Sequence, residues 1–114
     1  MQRTKLLCAL CCIILNSAWA ADSVNQLDNK GNRQGFWTVT GNIARDVRYP
    51  GNGRVEEGNY IDGKKVGVWK RFWPSGKLRS EINYKSGLPS GAYTLYYENG
   101  KPEETGNWKY VRYT

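Results

Sequence analysis

The chain has no histidine, and its three cysteines, Cys8, Cys11 and Cys12, all lie in the first twelve of its 114 residues. Without histidine, a Ser-His-Asp triad, a Cys-His pair and the usual zinc ligand sets cannot be built. Beyond residue 12 there is also no cysteine for a disulfide framework, although such frameworks are common in small exported domains. We therefore predict no catalytic residue, no metal site and no cofactor.

Long apolar runs are missing as well. The longest, residues 6–15, is ten residues long, whereas a membrane-spanning helix needs about 20. Arg3 and Lys5 precede this run, and Ala18-Trp19-Ala20 follows it. This order of basic, apolar and small residues is typical of a secretory signal peptide. The sequence predicts a signal peptide at residues 1–20 and export of the remainder, so that the protein is periplasmic or secreted.

Residues 21–114 are rich in aromatic side chains and in positive charge. They contain four Trp, eight Tyr and two Phe, with 15 basic and 10 acidic residues, a net charge of +5. A core built mainly from rings is therefore expected in this single small domain. The surplus of positive charge favours anionic partners, although a solvated charged surface accounts for it equally well.

The most informative feature of the sequence is an internal repeat. "GVWKRFWPSGK" at residues 67–77 returns as "GAYTLYYENGK" at residues 91–101, 24 residues later, and Tyr60, Tyr84 and Trp108 keep the same spacing. Periods of 20–50 residues are typical of repeat architectures. We divide the chain into a linker at 21–27, repeats at 28–60, 61–84 and 85–108, and a degenerate repeat or capping strand at 109–114.

Each unit contains two runs with strand character, separated by glycine-containing turns. Asp62-Gly63 and Ser86-Gly87 separate successive units, and such pairs suit tight hairpin turns. We expect an all-β fold, an antiparallel hairpin meander in one curved sheet, with strands at 68–73, 78–84, 92–97 and 103–108. Alternation puts Trp69 and Trp73 on one face with Phe72 opposite. The period then stacks Trp37, Trp69 and Tyr93 on one another.

The first unit is longer than the others. Gly35 and Gly67 are 32 residues apart instead of 24, which places about eight extra residues within 43–52. A lengthened loop on a regular scaffold is a frequent place for function, and a neutral insertion is the alternative. We take Arg45, Arg48 and Tyr49 in this loop as candidate contact residues.

A second candidate set combines cations with rings in the second unit. It consists of Lys64, Lys65, Trp69, Lys70, Arg71 and Trp73. Such a mixture can hold an anionic lipid surface or a single-stranded nucleic acid, and it also fits core rings among solvated charges. We expect a protein partner first and an anionic lipid surface second, with nucleic acid the least favoured.

Glutamates recur at similar places in the units, at 56–57, 81 and 103–104. Two carboxyl groups roughly 5–10 Å apart in a cleft would suit a glycosidase. The glutamates alternate with Lys77, Arg79 and Lys101, as ordinary cross-strand charge partners do. We therefore favour a structural role, and a carbohydrate-active enzyme is the alternative.

The units "DGKKVGVWKRFWPSGKLRSEINY" and "SGLPSGAYTLYYENGKPEETGNW" resemble the MORN repeat variant family, and the resemblance extends over residues 28–108. It implies a non-catalytic array that binds proteins and, in some members, acidic phospholipids. Many bacterial members carry an antitoxin label, which fits poorly with a signal peptide at residues 1–20. A third alternative is a structural protein that self-associates through its exposed edge strands.

Overall fold

The computed structural model of the chain describes residues 23–109, which form one open antiparallel sheet of seven strands in the order β1 to β7. The elements are β1 (Gln26–Leu27), β2 (Arg33–Thr40), α1 (Gly41–Ala44), β3 (Arg54–Ile61), β4 (Lys64–Phe72), β5 (Leu78–Lys85), β6 (Leu88–Tyr96) and β7 (Pro102–Trp108). The predicted all-β meander is confirmed. The predicted signal peptide and all of the predicted capping strand except Lys109 lie outside the described residues. Within residues 23–109, no helix has the length and apolarity to cross a membrane.

The turns between units have the backbone that their sequences favour. Asp62 and Gly63 have φ of 50° and 79°, and Ser86 and Gly87 have φ of 49° and 86°. Two successive residues with positive φ are typical of the type I′ turn, whose twist matches that of the flanking strands. Each pair therefore joins two strands in a tight hairpin.

The glycine that opens each repeated motif lies inside a strand, at an irregularity of the ladder. Gly67 in β4 and Gly91 in β6 have φ of 71° and 88°. The register of β3 with β4 shifts between Glu57 and Asn59 opposite Gly67, and β5 with β6 shows the corresponding shift. A glycine with positive φ permits such a bulge without ending the strand. Consequently β4 and β6 begin at Lys64 and Leu88, four residues earlier than predicted.

The core is a row of interlocked rings on one side of the sheet. Trp37 and Tyr60 meet edge to face with centroids 6.2 Å apart, Tyr60 and Trp69 at 4.9 Å, and Trp69 and Tyr84 at 6.5 Å. The predicted direct stack of Trp37 on Trp69 is wrong, because β3 lies between their strands and Tyr60 fills the gap. The predicted stack of Trp69 on Tyr93 fails for the same reason. Each contact of this kind contributes roughly 0.5–1.5 kcal/mol beyond area burial.

Backbone groups hold the two central indoles in place. The Trp37 Nε1–H donates to the carbonyl oxygen of Gln26 and the Trp69 Nε1–H to that of Asn59, each at 3.0 Å. Trp69 also lies flat against Gly58, where an added Cβ would come within 2.4 Å of the ring. Trp69 is thus held by the edge-to-face contact with Tyr60 and by its contact with the backbone of Gly58.

The ladder is irregular at the end of β4. The register of β4 with β5 shifts between Arg71 and Phe72. Phe72 is buried outside the Trp37–Tyr60–Trp69 cluster, with the Arg54 guanidinium carbon 4.0 Å from its ring centroid. Trp73 lies just beyond the strand, where its N–H donates to the carbonyl oxygen of Lys77 across the turn. Trp73 nevertheless lines one cleft with Ile82 and Leu95, which lie on the same side of the sheet as Trp69.

The two edges of the sheet differ. Along β2, Asn25 donates its backbone N–H to the Phe36 carbonyl oxygen, and its side chain both accepts from the Thr38 N–H at 2.7 Å and donates to the Thr38 carbonyl oxygen at 3.1 Å. The outer edge of β7 has no neighbouring strand among residues 23–109. The outer side of β2 is therefore covered by β1 and Asn25, which leaves the two-residue β1 as the strand at that edge, whereas the seven-residue β7 forms the other.

The extra residues of the first unit form α1, a single turn, and a loop at 45–53. The Gly41 N–H donates to the Gly53 carbonyl oxygen at 2.9 Å, and the Tyr49 hydroxyl donates to the Phe72 carbonyl oxygen at 2.8 Å. Within the loop, Asp46 accepts hydrogen bonds from the Arg48 backbone and guanidinium. These bonds, the guanidinium first, lower the pKa of Asp46 to about 2.

Replacing Gly67 with alanine should destabilise the protein by about 1–2 kcal/mol, because a side chain strains a backbone with positive φ. An added Cβ there meets no atom within 4 Å, so the loss reports the backbone conformation alone. Denaturant unfolding measures it. Lys70→Ala, at an exposed position of the same strand, is the control and should change stability by no more than about 0.5 kcal/mol. Equal effects of the two substitutions would contradict the role given to Gly67.

The Asp46 carboxyl should titrate near pH 2 instead of at its ordinary value of 3.8. Because its pKa is lower in the folded state, the contribution of Asp46 to stability is complete above the ordinary value and is lost as pH falls through about 2. Carboxyl carbon NMR measures the midpoint, and Arg48→Gln should raise it towards 3.8. A midpoint that the substitution leaves unmoved would argue against the pairing.

Candidate functional site

The candidate residues of the second unit are divided between the two sides of the sheet. We call the side that bears Trp37, Tyr60, Trp69 and Tyr84 the aromatic face, and the other the back face. Residues opposite each other in a ladder point to the same side. Lys65 pairs with Tyr60, and Arg71 lies two residues after Trp69, so both are on the aromatic face. Lys64 and Lys70, opposite Ile61 and Glu57, are on the back face.

Trp69 is part of the core, and Lys65 covers its ring. Trp69 is 1% exposed, so its ring is not available to a partner. The Lys65 Nζ lies 4.5 Å from the Trp69 ring centroid and 3.1 Å from a Glu56 carboxylate oxygen. Such a cation over an aromatic face is attracted by the ring's quadrupole. Lys65 therefore holds the ring ladder together and is already neutralised by Glu56.

Lys64 and Lys70 are exposed and form no ion pair with any residue in 23–109. Lys70 nevertheless stands between two carboxylates in the ladder, opposite Glu57 on β3 and Glu81 on β5. The local excess of positive charge is thus smaller at Lys70 than the run of cations in the sequence suggests. Lys64, opposite Ile61, has no such neighbours in its ladder pair.

Trp73 and Arg71 border a cleft over β4, β5 and β6. The Arg79 guanidinium carbon lies 4.4 Å from the centroid of a Trp73 ring. Arg71 is partly exposed, with its Nε 3.9 Å from Glu56. Sequence reasoning had selected Arg71 and Trp73 but not Arg79. The signal available for Arg79 was its position six residues after Trp73, the second tryptophan of the motif.

The candidate residues of the inserted loop differ in exposure and in ion pairing. Arg45 is exposed, with φ of 55° at the end of α1, and no ion pair within the described chain engages it. Arg48 is bound to Asp46 at 2.7 Å, and Tyr49 is buried as the anchor of the loop. Sequence reasoning missed Val47, which is 98% exposed between the two arginines. An apolar residue among charged ones in the inserted stretch, next to Asp46 and Arg48, was the signal available.

The recurring glutamates have separate partners. Glu57 accepts from Arg54 at 3.2 Å, Glu81 from the Tyr96 hydroxyl at 2.7 Å, and Glu104 from the Tyr93 hydroxyl at 2.6 Å. These hydrogen bonds raise the pKa of both tyrosines, since losing the proton would place two negative charges together. No cluster of three or more potential metal ligands occurs in residues 23–109. Glu81 and Glu104 therefore act as cross-strand hydrogen-bond partners, whereas Glu57 pairs with Arg54 of its own strand.

Comparison with known proteins identifies the repeat. The family model described as MORN repeat variant matches residues 65–86 and residues 89–110. The first match coincides with the β4–β5 hairpin and the second with β6 and β7. A search of the curated proteins found no match, and neither did a search of the solved structures. These two adjacent units, residues 65–86 and 89–110, are therefore repeats of the MORN repeat variant type.

Proposed function

We propose that the chain is an exported, non-catalytic interaction module that binds a protein partner through the tip of its inserted loop. MORN repeats commonly take part in protein or membrane interactions and are generally non-catalytic. The observation that carries the proposal is Val47, which is 98% exposed on a loop tied firmly to the sheet.

The loop is organised before any partner arrives. Two backbone hydrogen bonds close the base of the loop, one between Gly41 and Gly53 and one between Asn42 and Gly51. The buried Tyr49 ties the second half of the loop to the end of β4 through its hydroxyl. A preformed loop loses little conformational entropy on binding, which raises affinity for a given set of contacts. Holding a bare valine at such a tip has no evident benefit for stability, which supports a role in contact.

The chemistry of the tip suits an apolar pocket bordered by negative charge. Val47 offers a branched apolar side chain, and Ile43, 42% exposed on α1, adds apolar surface in the same insert. Arg45 supplies a guanidinium without an ion pair in the described residues, and such groups bind carboxylates in a bidentate manner. A partner surface with an apolar hollow and a nearby carboxylate would match these groups.

The binding free energy that the loop tip can supply favours a protein partner over a lipid surface. Burying one valine contributes roughly 1.5–3 kcal/mol, and each arginine near an anionic membrane contributes about 1 kcal/mol. Their sum is well below the roughly 8 kcal/mol of a micromolar complex. A membrane that met only this tip would hold it weakly, whereas a shaped protein surface can add contacts along the sheet.

Val47→Asp should weaken binding of the partner by about tenfold or more, because it places a charge in an apolar pocket. The partner is first captured with the wild-type protein from the native source and then measured by calorimetry. Val68→Asp is the matched control, since Val68 is a 48% exposed valine on the back face. Both variants should remain folded, as both sites are on the surface.

Equal loss in the two variants, or no loss in Val47→Asp, would remove the loop from the proposal. Flotation of the wild type with vesicles rich in phosphatidylserine, abolished by Val47→Asp and by salt, would replace the protein partner with a membrane.

Export is tested separately. We expect the protein isolated from its native source outside the cytoplasm to begin at Ala21, because the small residues Ala18 and Ala20 favour cleavage after residue 20. Mass spectrometry of the intact protein gives the first residue directly. Recovery of the uncleaved chain from the cytoplasm would contradict the export proposal and leave the loop proposal to its own test.

A further inference from the structure

We infer that the cleft over β4, β5 and β6 is a binding site for a carboxylate carried on a short apolar group. The cleft has a volume of about 360 Å³, within the range of small-ligand sites. Its lining residues are Arg71, Trp73, Arg79, Ser80, Ile82, Leu95, Tyr96 and Glu103. The inference does not depend on the role proposed for the loop.

Two buried polar groups in the lining have no partner. The Ser80 Oγ and the Trp73 Nε1 are both shielded from solvent without a hydrogen bond to any described residue. Ser80 is only 3% exposed, and it is the buried polar residue of the described chain. Buried polar groups in native proteins are almost always hydrogen-bonded, so an orphaned pair in one cleft calls for a ligand. The other two central indoles, by contrast, each donate to a carbonyl oxygen.

The unpartnered groups of the cleft need a hydrogen-bond acceptor. An indole N–H only donates, a guanidinium only donates, and a serine hydroxyl can donate. Arg79 lies over the Trp73 ring without an ion pair in the described residues, and Arg71 is 3.9 Å from a Glu56 that Lys65 already pairs at 3.1 Å. A carboxylate fits because it only accepts and matches the planar fork of an arginine.

The charge of the lining favours a single negative charge. Two arginines and Glu103 leave one positive charge in excess among the lining residues. A monoanionic carboxylate would neutralise it, whereas a phosphate dianion would add repulsion with Glu103. The cleft is therefore better matched to a carboxylate than to a phosphate head group.

The apolar side chains of the lining select the group that carries the carboxylate. Ile82 and Leu95 border the cleft from β5 and β6, where their ladder partners Tyr93 and Ser80 place them on the aromatic face. The Trp73 ring, under Arg79, adds a flat apolar wall. A peptide C-terminus with an aliphatic last residue has this chemistry, and so does a free branched-chain acid.

The test follows the indole N–H of Trp73 by ¹H–¹⁵N NMR, assigned with Trp73→Phe, while the purified protein is titrated. The probes are an acetylated tripeptide ending in valine with a free carboxylate, the same peptide with a C-terminal amide, 3-methylbutanoate and inorganic phosphate. We expect a saturable shift with the free carboxylates and binding at least about tenfold weaker with the amide. Tighter binding of the peptide than of 3-methylbutanoate would identify a chain terminus as the source, and equal binding a free acid.

Arg79→Gln should weaken carboxylate binding by about tenfold, since it removes a charge-assisted hydrogen bond. Lys77→Gln, a cation in the preceding turn that does not line the cleft, should leave binding unchanged. The unmoved indole signals of Trp37 and Trp69 show in each variant that the core is intact. No saturable shift up to about 10 mM peptide, an equal shift with the amide, or equally tight binding of phosphate would overturn the inference.

Discussion

The sheet depends on the edge-to-face contact between Tyr60 and Trp69, whose ring centroids are 4.9 Å apart. A single open sheet has no second layer to bury its apolar side, so the cover has to come from the sheet's own side chains. Large rings provide it, because each reaches across to the neighbouring strand. Gly58 beneath Trp69 and Gly106 beneath Tyr93 have no side chain that would lift the rings away from the backbone.

The same contact joins one repeat to the next. Tyr60 ends the first unit and Trp69 lies in the second, whereas Trp69 and Tyr84 meet within one unit at 6.5 Å. At this junction the contact between units is therefore of the same kind as the contact within a unit, which couples these two neighbours as in other repeat proteins. The coupling weakens towards β7. There Tyr93 and Trp108 still meet at 5.9 Å, but Trp108 is 50% exposed.

The period and the turn glycines made the meander predictable, because a 24-residue spacing leaves room for one hairpin. The bulge at Gly67 and the position of Tyr60 between Trp37 and Trp69 could not be predicted. Gly67 was taken as a boundary because glycine usually marks a turn, and only the ladder shows that it forms a bulge within β4. Tyr60 was seen to recur with Tyr84 and Trp108, yet alternation within one strand does not show which ring fills the gap between two others.

The candidate site was less predictable, for a physical reason. Residue type indicated cations and rings but not their partners, so Lys65 looked available although Glu56 and Trp69 already engage it. Trp69 and Tyr49 looked like contact residues and are buried. The cleft beside Trp73 combines residues of β4, β5, β6 and β7 with the turn after β4, and no local pattern in the sequence brings those residues together.

The unequal edges limit how copies of this protein can combine through their strands. Endless head-to-tail growth needs two free edges on every copy, and Asn25 already occupies the Phe36 and Thr38 backbone groups on one of them. Within residues 23–109, β7 has the longer open edge, and pairing it with the β7 of a second copy would use the same surface twice and close after two copies. For association through the described strands, occupation of the β2 edge by a short segment thus favours a symmetric pair over a fibre.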